Sequence, residues 1–348
     1  MKNFKINNFK FNNNSRPFVI AEISSNHQNQ LSSVLRLMSE IKKAGADAVK
    51  IQTYTEDTMT INSIRKEFVI KNGLWKNYNL YKLYSEAKTP LSWHKKIFVH
   101  AKKINITCFS TVFDETSVDF LSKFNLPAYK ISSFEIIDLP LIKYVAKKNK
   151  PIIISTGGAN LKEIKDAIRT IKNTGNKKII ILHCVSNYPS IYKNYNLKTM
   201  IDLKKKFNFH VGLSDHTPDL ITSLVAAGLG ATVIEKHVRL SDDNTSLDSK
   251  FSMKISEFKD FCQKIKMAWE CRGIVDYKKK NEKDSSKHRR SIYVVKDIEK
   301  NEKITKHNIK RIRPGRGLLP KYFKFIIGKK VKKKLTSGIP LKFSDIKF

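Results

Sequence analysis

Polar residues recur at one place in the repeating pattern of this chain, the end of each short apolar run. Runs of β-branched and aromatic residues alternate with amphipathic segments, which predicts strands and helices in turn. Strands that served the core alone would not end in polar residues so regularly. The residues that end or follow these runs and could do chemistry are Glu22, Lys50, Gln52, Lys130, Ser133, Glu135, Ser155, Ser186, Ser214, His216, Glu235 and His237.

Two lysines interrupt otherwise apolar runs, Lys50 in AVKIQ and Lys130 in AYKIS. A buried lysine is costly unless a carboxylate or a bound anion lies beside it. One interpretation is an ion pair that serves only the fold. We favour an anion site, because Ser133 and Ser155 end nearby runs and their hydroxyls suit a phosphate or a carboxylate.

Two histidines, His216 and His237, end neighbouring predicted strands. A lone histidine is more often a packing residue, whereas two neutral imidazoles at matched depth can share one metal ion. With Glu235 nearby, we favour the metal interpretation. Two histidines completed by oxygen ligands suit Mn²⁺ or Mg²⁺ better than a closed structural Zn²⁺ site.

The sequence predicts eight strands, and their ends carry these groups. Their near-continuous apolar character is typical of strands covered on both faces, and eight of them predict a (β/α)8 TIM barrel, whose catalytic groups lie at the carboxyl ends of its strands. A doubly wound open sheet is the alternative, but no glycine-rich dinucleotide loop follows the first strand. The predicted strands are Phe18–Ser24, Ala48–Tyr54, Thr107–Val112, Ala128–Ser133, Pro151–Thr156, Ile179–Val185, His210–Ser214 and Thr232–Val238.

Helices are predicted between the strands from their periodicity and their terminal glycines. A long insertion at 55–90, rich in aromatic residues, follows the second strand. It is either a lid or substrate wall, or a hydrophobic cap over the barrel rim. The predicted helices are Leu31–Ala44, Ser92–Asn105, Leu161–Thr174, Leu197–Phe207, Pro218–Leu229 and Ser256–Cys271.

The domain organisation follows from a change in composition near residue 276. We predict a barrel at 1–275, a polar linker at 276–290 and a small β-rich domain at 291–348. The first 17 residues carry no apolar core of the kind a secretory signal needs.

The composition excludes several classes of protein. At 41% hydrophobic residues the chain can bury a core, so disorder is excluded despite a net charge of +36. No apolar run is long enough to span a membrane. Four cysteines without metal spacing indicate reduced packing residues and a cytoplasmic protein.

The basic charge raises the possibility of a nucleic-acid-binding protein. Half of the excess lies in 277–348, where 24 Lys and Arg face 6 Asp and Glu. No nucleic-acid-binding motif accompanies them, and we favour a solvated lysine-rich surface, with no nucleic-acid partner. Such a surface still attracts an anionic substrate.

Eight ordered motifs in the barrel region resemble the sialic acid synthase family, and IRPGRG (312–317) resembles the antifreeze-like (SAF) domain that these enzymes carry. The resemblance is strongest to the pseudaminic acid branch of the family, through the 55–90 insertion and PAYKISSFEIIDLPLI (127–142). The motifs are IAEISSNH (20–27), AGADAVKIQTY (44–54), CFSTVFD (108–114), AYKISSFE (128–135), IISTGG (153–158), HCVSNYP (183–189), GLSDHT (212–217) and VIEKHV (233–238).

The resemblance implies a (β/α)8 barrel followed by an SAF domain, and a condensation of phosphoenolpyruvate with an amino-sugar aldehyde. It implies a divalent metal at His216 and His237, and catalytic carboxylates at Glu22, Glu135 and Glu235. Phosphoenolpyruvate is expected at Lys50, Lys130, Ser133, Ser155, Ser186 and Ser214. The sugar is expected at Glu22, Gln52, Tyr188, Asp248 and Arg313, the last reaching a neighbouring chain in a domain-swapped homodimer.

The chain departs from the family pattern at a few positions. Val112 and Gly158 replace a proline and a methionine, Ser186 stands where sialic acid synthases proper carry asparagine, and the glycines usual before Asp248 are absent. Three alternatives remain open: the same condensation with N-acetylmannosamine or the legionaminic acid precursor, an aldolase with a Schiff-base lysine at Lys130, and the nucleic-acid-binding protein.

Overall fold

A computed structural model describes residues 3–277 and 285–348. The chain divides into two compact units, Met1–Gly273 and Ile274–Phe348. Residues 278–284, within the predicted linker at 276–290, lie outside the described residues. No helix in the described part of the chain is both long and apolar enough to cross a membrane.

The first unit is built around a closed barrel of eight parallel strands. The last strand of the barrel pairs with both the first and the next-to-last strand, and this pairing closes the cylinder. The predicted (β/α)8 TIM barrel is therefore confirmed, and the doubly wound open sheet is wrong. The barrel strands are β3 (Phe18–Glu22), β4 (Ala48–Thr53), β5 (Thr107–Val112), β6 (Tyr129–Ile131), β7 (Ile152–Ser155), β8 (Ile179–Cys184), β9 (His210–Asp215) and β10 (Val233–Arg239).

Side chains alternate between the barrel interior and the helical layer, because successive residues of a strand point to opposite faces. The apolar interior cluster includes Phe18, Ile20 and Ala48, whereas the intervening Val19 and Ala21 join the core beneath the helices. Continued to the strand ends, this alternation directs a defined subset of the polar residues inward: Glu22, Lys50, Gln52, Thr111, Lys130, Ser155, Ser214, Glu235 and His237.

Helices cover the outside of the barrel, and all six that the sequence predicts are present. Four further helices were not predicted: α2 and α3 lie within the 55–90 insertion, and α5 and α6 belong to the outer layer. The helices α5 and α6 each begin at an aspartate whose side chain accepts backbone N–H groups, Asp114 for α5 and Asp138 for α6. The helices of this unit are α1 (Leu31–Ala44), α2 (Glu56–Met59), α3 (Leu80–Ala87), α4 (His94–Lys103), α5 (Glu115–Ser122), α6 (Leu139–Lys147), α7 (Leu161–Asn173), α8 (Lys198–Phe207), α9 (Ile221–Gly228) and α10 (Ile255–Cys271), the last preceded by the short strand β11 (Met253–Lys254).

A β-hairpin that was not predicted from the sequence lies at the amino terminus. Strands β1 (Phe4–Ile6) and β2 (Phe9–Phe11) pair in antiparallel fashion across the two-residue turn Asn7–Asn8. Phe11 is fully buried, with its ring centroid 5.5 Å from that of Phe18. The hairpin thus caps the amino-terminal end of the barrel with aromatic side chains.

The second unit is small and β-rich. Its core consists almost entirely of isoleucine, leucine and valine side chains, among them Ile292, Ile309 and Leu341. Gly317 lies where a Cβ atom would be only 2.4 Å from the carbonyl oxygen of Ile292, so glycine is required there. The elements are β12 (Ser291–Val294), β13 (Ile309–Ile312), α11 (Phe323–Ile326), β14 (Lys330–Val331) and β15 (Ile346–Lys347).

Removing the Phe11 side chain from the amino-terminal hairpin should destabilise the barrel without affecting the candidate active site at the opposite end. We expect Phe11→Ala to lower the free energy of unfolding by about 3–5 kcal/mol, because it removes a fully buried ring and leaves a cavity. Urea unfolding followed by circular dichroism measures the loss, with the exposed Lys5→Ala as the control. Equal stability of the two variants would show that the hairpin does not cap the barrel.

Candidate active site

Four charged side chains meet inside the barrel where the strands end. The Lys50 Nζ atom lies 2.5 Å from Glu22 Oε2 and 3.6 Å from Glu235 Oε1. Lys130 Nζ lies 3.5 Å from the same Glu235 oxygen. All four side chains are almost completely buried. The structure therefore brings both predicted lysines together, and it pairs them with two of the three predicted carboxylates.

The two lysines differ in their electrostatic surroundings. Burial opposes the charged form of Lys50, but the attraction of Glu22 and Glu235 outweighs it, so the pKa of Lys50 is raised. At Lys130 the effect of burial is larger than the attraction of Glu235, and repulsion from Lys50 also disfavours the charged form. The pKa of Lys130 is therefore lowered. Lys130 is thus the under-neutralised cation of the pair, and a bound anion would stabilise it most.

A set of hydroxyl groups lies beside the turn that follows β7. The backbone N–H of Gly157 donates to Ser133 Oγ over 3.1 Å. A Cβ atom on Gly157 would be 2.1 Å from Ser186 Oγ and 2.8 Å from Ser133 Oγ, so only glycine allows both serines to approach. Ser155 Oγ is buried and has no hydrogen-bond partner among the described residues. A buried hydroxyl donor without a protein acceptor, as at Ser155, suits an oxygen of a bound anion.

Ser214 and Gln52 connect this charge cluster to its neighbours. The hydroxyl of Ser214 donates to Glu235 Oε1 over 3.2 Å. The amide of Gln52 donates to Glu22 Oε1 over 3.1 Å and to Ser24 Oγ over 2.9 Å. Burial raises the pKa of Glu22 despite the opposing attraction of Lys50. Gln52 and Glu22 together present hydrogen-bonding groups beside the lysines.

The two predicted metal ligands lie side by side at the end of the barrel, with their ring planes inclined by 60°. The ring centroids of His216 and His237 are 5.4 Å apart. His216 Nδ1 lies 3.0 Å from the carbonyl oxygen of Val185, which can only accept, so this nitrogen carries the proton and Nε2 is left to bind a ligand. Burial and the neighbouring His216 lower the pKa of His237, which favours the neutral form that binds a metal, whereas at His216 the effect of burial is outweighed by Cys184 and the pKa is raised.

These histidines fit a divalent ion in a partly open site. His237 Nδ1 is buried with no hydrogen-bond partner in the described part of the chain, and Asp248 Oδ2 lies 3.9 Å from it. The described residues contain no cluster of three or more His, Cys, Asp and Glu side chains arranged to hold a metal. The two imidazoles could supply nitrogen ligands to a divalent ion, with substrate and water completing its shell.

Aromatic side chains form a wall beside the histidines. The ring of Tyr188 lies 4.5 Å from that of His216, and the ring of Phe251 lies 4.9 Å from that of His237. Trp75, from the 55–90 insertion, packs 5.8 Å from Tyr188 and donates its indole N–H to the carbonyl oxygen of Leu247 over 3.2 Å. The insertion therefore contacts the residues beside the histidines.

Asp248 and Glu135 approach the barrel mouth from two loops. Asp248 is held by Ser25, whose N–H donates to its carboxylate over 3.3 Å. Glu135 lies in the 3₁₀ turn Phe134–Ile137 and accepts a hydrogen bond from the hydroxyl of Ser132. Burial raises the pKa of Glu135 to about 7, so near neutrality this group can both release and accept a proton.

Arg313 belongs to the second unit, where its side chain is exposed. The turn that carries it is well anchored, since the hydroxyl of Ser291 donates to the carbonyl of Pro314 over 2.7 Å and accepts from the N–H of Gly317 over 2.9 Å.

Several residues at the site had no role assigned from the sequence. Thr111 ends its predicted strand but was given no function, and it accepts a hydrogen bond of 2.9 Å from Lys50 Nζ, while Trp75, Gly157 and Phe251 have the contacts described above. The two-residue alternation of β5 could have revealed Thr111, which follows the inward-facing Phe109. The other three lie on loops, whose approach to the site no local pattern encodes.

Comparison with known proteins shows the family to which the chain belongs. Residues 37–277 match the NeuB family and residues 289–347 match the SAF domain. The chain therefore belongs to the NeuB family.

Two proteins of one Campylobacter jejuni strain (serotype O:2, ATCC 700819 / NCTC 11168) are informative. Its pseudaminic acid synthase is 43% identical over 338 residues, covering 96% of this chain and 98% of its own. Its N,N'-diacetyllegionaminic acid synthase is 35% identical over 318 residues, covering 90% and 95%. The crystal structure of the Bacillus subtilis spore coat polysaccharide biosynthesis protein spsE superposes with a TM-score of 0.68 at 29% identity, covering 100% of this chain and 99% of its own.

The raised pKa of Glu135 predicts a pH dependence of stability. The folded protein keeps this proton up to about pH 7, whereas the unfolded chain releases it near 4.5. The free energy of unfolding should therefore fall as the pH rises from 4.5 to 7, and Glu135→Gln should reduce this fall. Urea unfolding between pH 5 and 8 measures it, with the exposed Glu67→Gln as a control. An unchanged slope in Glu135→Gln would contradict the assignment.

Proposed function

We propose that this chain condenses phosphoenolpyruvate with 2,4-diacetamido-2,4,6-trideoxy-L-altrose and water to give pseudaminic acid and phosphate. The observation that carries the proposal is the strand-end site, with two buried lysines beside a serine set and a histidine pair, in a chain 43% identical to a pseudaminic acid synthase over nearly its full length. The enzyme is a transferase that forms a C–C bond and cleaves the C–O bond to phosphate.

Phosphoenolpyruvate binds at the lysine and serine groups. Its phosphate and carboxylate accept charge-assisted hydrogen bonds from Lys50 and Lys130, with Ser133, Ser155, Ser186 and Ser214 as hydroxyl donors. The under-neutralised Lys130 gains most from the substrate's charge. The same lysines stabilise the charge that develops on phosphate as it leaves.

The acceptor sugar lies between the phosphoenolpyruvate groups and the histidines. Glu22, Gln52, Tyr188 and Asp248 orient it so that its aldehyde carbon faces C3 of phosphoenolpyruvate. His216 and His237 hold the divalent ion. Lewis-acid polarisation of the aldehyde oxygen is the chemistry that Mn²⁺ or Mg²⁺ supplies there when bound.

The C2–C3 π electrons of phosphoenolpyruvate form the new bond to the aldehyde carbon, the aldehyde oxygen takes up the C=O π electrons and a proton to become a hydroxyl, and C2 is left electron-deficient. Water then adds to C2 and phosphate departs with its bridging oxygen. Glu135, whose pKa is about 7, directs this water and takes its proton. Glu235, held between the two lysines, keeps them positioned for the phosphate.

The assembly and the compartment complete the proposal. The active unit is a domain-swapped homodimer in which Arg313 of one chain completes the site of the other, an inference that the family resemblance supports. The reaction takes place in the cytoplasm. All four cysteines are free, which agrees with a reducing compartment.

Three other functions are weaker. Condensation with N-acetylmannosamine or the legionaminic acid precursor uses the same machinery, but the legionaminic relative is less similar than the pseudaminic one. A Schiff-base aldolase at Lys130 leaves the histidine pair without a role, and borohydride trapping would reveal it. A salt-dependent gel shift would support nucleic-acid binding.

An assay of phosphate release with the three candidate sugars tests the function directly. We expect kcat/KM to be highest with the 2,4-diacetamido-2,4,6-trideoxy-L-altrose acceptor, because the chain is more similar to the pseudaminic acid synthase than to the legionaminic relative. A chelator should abolish the activity, and Mn²⁺ or Mg²⁺ should restore it. A higher kcat/KM with either other sugar would overturn the substrate assignment, and full activity in chelator would overturn the metal assignment.

Mixing two inactive variants tests the swapped dimer. Arg313→Ala and Glu135→Ala lie in different units, so a heterodimer of the two variants regains one site with both residues. We expect each homodimer to lose most activity and the mixture to recover up to about a quarter of it, from statistical pairing. Subunit exchange is verified by mass spectrometry of differently tagged chains. If the subunits exchange but the mixture recovers no activity, Arg313 acts within its own chain or not at all.

A further inference from the structure

Lys236 lies between Glu235 and His237 on β10, but its side chain points the opposite way, out of the barrel. It is completely buried. Its Nζ atom lies 3.0 Å from Asp215 Oδ2 and donates to the carbonyl oxygens of Thr217, over 2.5 Å, and Asp219, over 2.7 Å. The three N–H bonds of the ammonium group are thereby matched by three acceptors.

These acceptors belong to one short turn, residues 215–219, which follows β9. Asp215 is itself fixed, because it accepts hydrogen bonds from the hydroxyl of Ser223 over 2.6 Å and from the N–H of Thr217 over 2.9 Å. The turn wraps around the ammonium group of Lys236. A side chain of β10 thus determines the path of the loop that follows β9.

That loop carries His216 between two of the residues that Lys236 holds. The backbone N–H of His216 donates to the hydroxyl of Tyr195 over 2.7 Å, and its carbonyl accepts from the N–H of Ser190 over 3.1 Å. The second histidine, His237, is the next residue after Lys236 on β10. One buried ammonium group therefore links the backbone segments that carry the two imidazoles.

We propose that Lys236 is a positioning residue that holds His216 and His237 in the spacing needed to bind one divalent ion. The inference rests on the metal site of the proposed function, and it adds a residue outside the barrel interior that contacts neither substrate. A salt bridge this deeply buried is weak evidence for a purely stabilising role, since apolar replacements of buried ion pairs are often neutral or stabilising.

The test compares Mn²⁺ affinity, measured by electron paramagnetic resonance on the full-length protein, in the wild type and in Lys236→Met. Methionine keeps most of the apolar stem and removes the ammonium group. We expect Mn²⁺ affinity to fall 10- to 100-fold, the range typical when groups that orient metal ligands are lost. Because Asp215 is then left as a buried carboxylate without its partner, the midpoint of thermal unfolding should also fall, whereas the KM for phosphoenolpyruvate should change less than twofold.

The matched control is Arg16→Met, which breaks another ion pair inside the same unit. Arg16 contacts Asp47 through two bonds of 2.6 and 2.7 Å where β3 and β4 begin, at the end of the barrel away from the histidines. We expect this variant to bind Mn²⁺ as tightly as the wild type, whatever its stability.

Should Lys236→Met fail to fold, Ser223→Ala is the second variant, since it loosens Asp215 without burying a new charge. We then expect a smaller but measurable loss of Mn²⁺ affinity with phosphoenolpyruvate binding retained. If the variant that folds binds Mn²⁺ as tightly as the wild type, the positioning role of Lys236 is wrong, while the proposed metal site stands. No Mn²⁺ or Mg²⁺ binding by the wild type would overturn the metal site of the proposed function, and the Lys236 inference with it.

Discussion

The two-residue alternation of side chains around a closed barrel is the constraint on which this site depends. Because β10 pairs with both β3 and β9, the barrel has no open edge and every inward side chain faces a confined interior. At the amino-terminal end the inward positions are apolar and the hairpin covers them. At the other end the inward positions are charged or polar, so the chemistry is limited to one mouth.

The charge balance at that mouth reconciles two interpretations of the buried lysines. Lys50 is closely paired with Glu22, as a structural ion pair would be. Lys130 shares Glu235 at a longer distance and retains a lowered pKa. The carboxylates reduce the cost of burying two ammonium groups before substrate arrives, and the incomplete pairing of Lys130 leaves a positive potential for an anion. The fold and anion binding therefore use the same side chains.

Outward-facing polar residues stabilise the loops that carry the site. Thr53, next to the inward Gln52, contacts Ser110 over 2.6 Å and His94 Nε2 over 2.8 Å. His94 Nδ1 in turn lies 3.1 Å from the carbonyl oxygen of Pro90, where the insertion ends. Burial lowers the pKa of His94 to about 4, so it remains neutral in this role. On the far side of the barrel, Lys236 and Asp215 are the corresponding outward pair.

The sequence alone determined the eight strands, the barrel and the strand ends that carry polar residues, because periodicity and burial are local properties of the chain. It also contained the signal for Thr111 and for the amino-terminal hairpin, where FKI and FKF flank two asparagines. Only the tertiary structure decided which strand-end groups touch. Whether Lys50 meets Glu22 depends on the pairing of β3 with β4, in which these residues lie opposite each other. Trp75 and Phe251 reach the histidines through loop paths set by contacts between residues about 170 positions apart, such as the bond from Trp75 to Leu247. Such contacts form only once the barrel closes, because no local propensity specifies them.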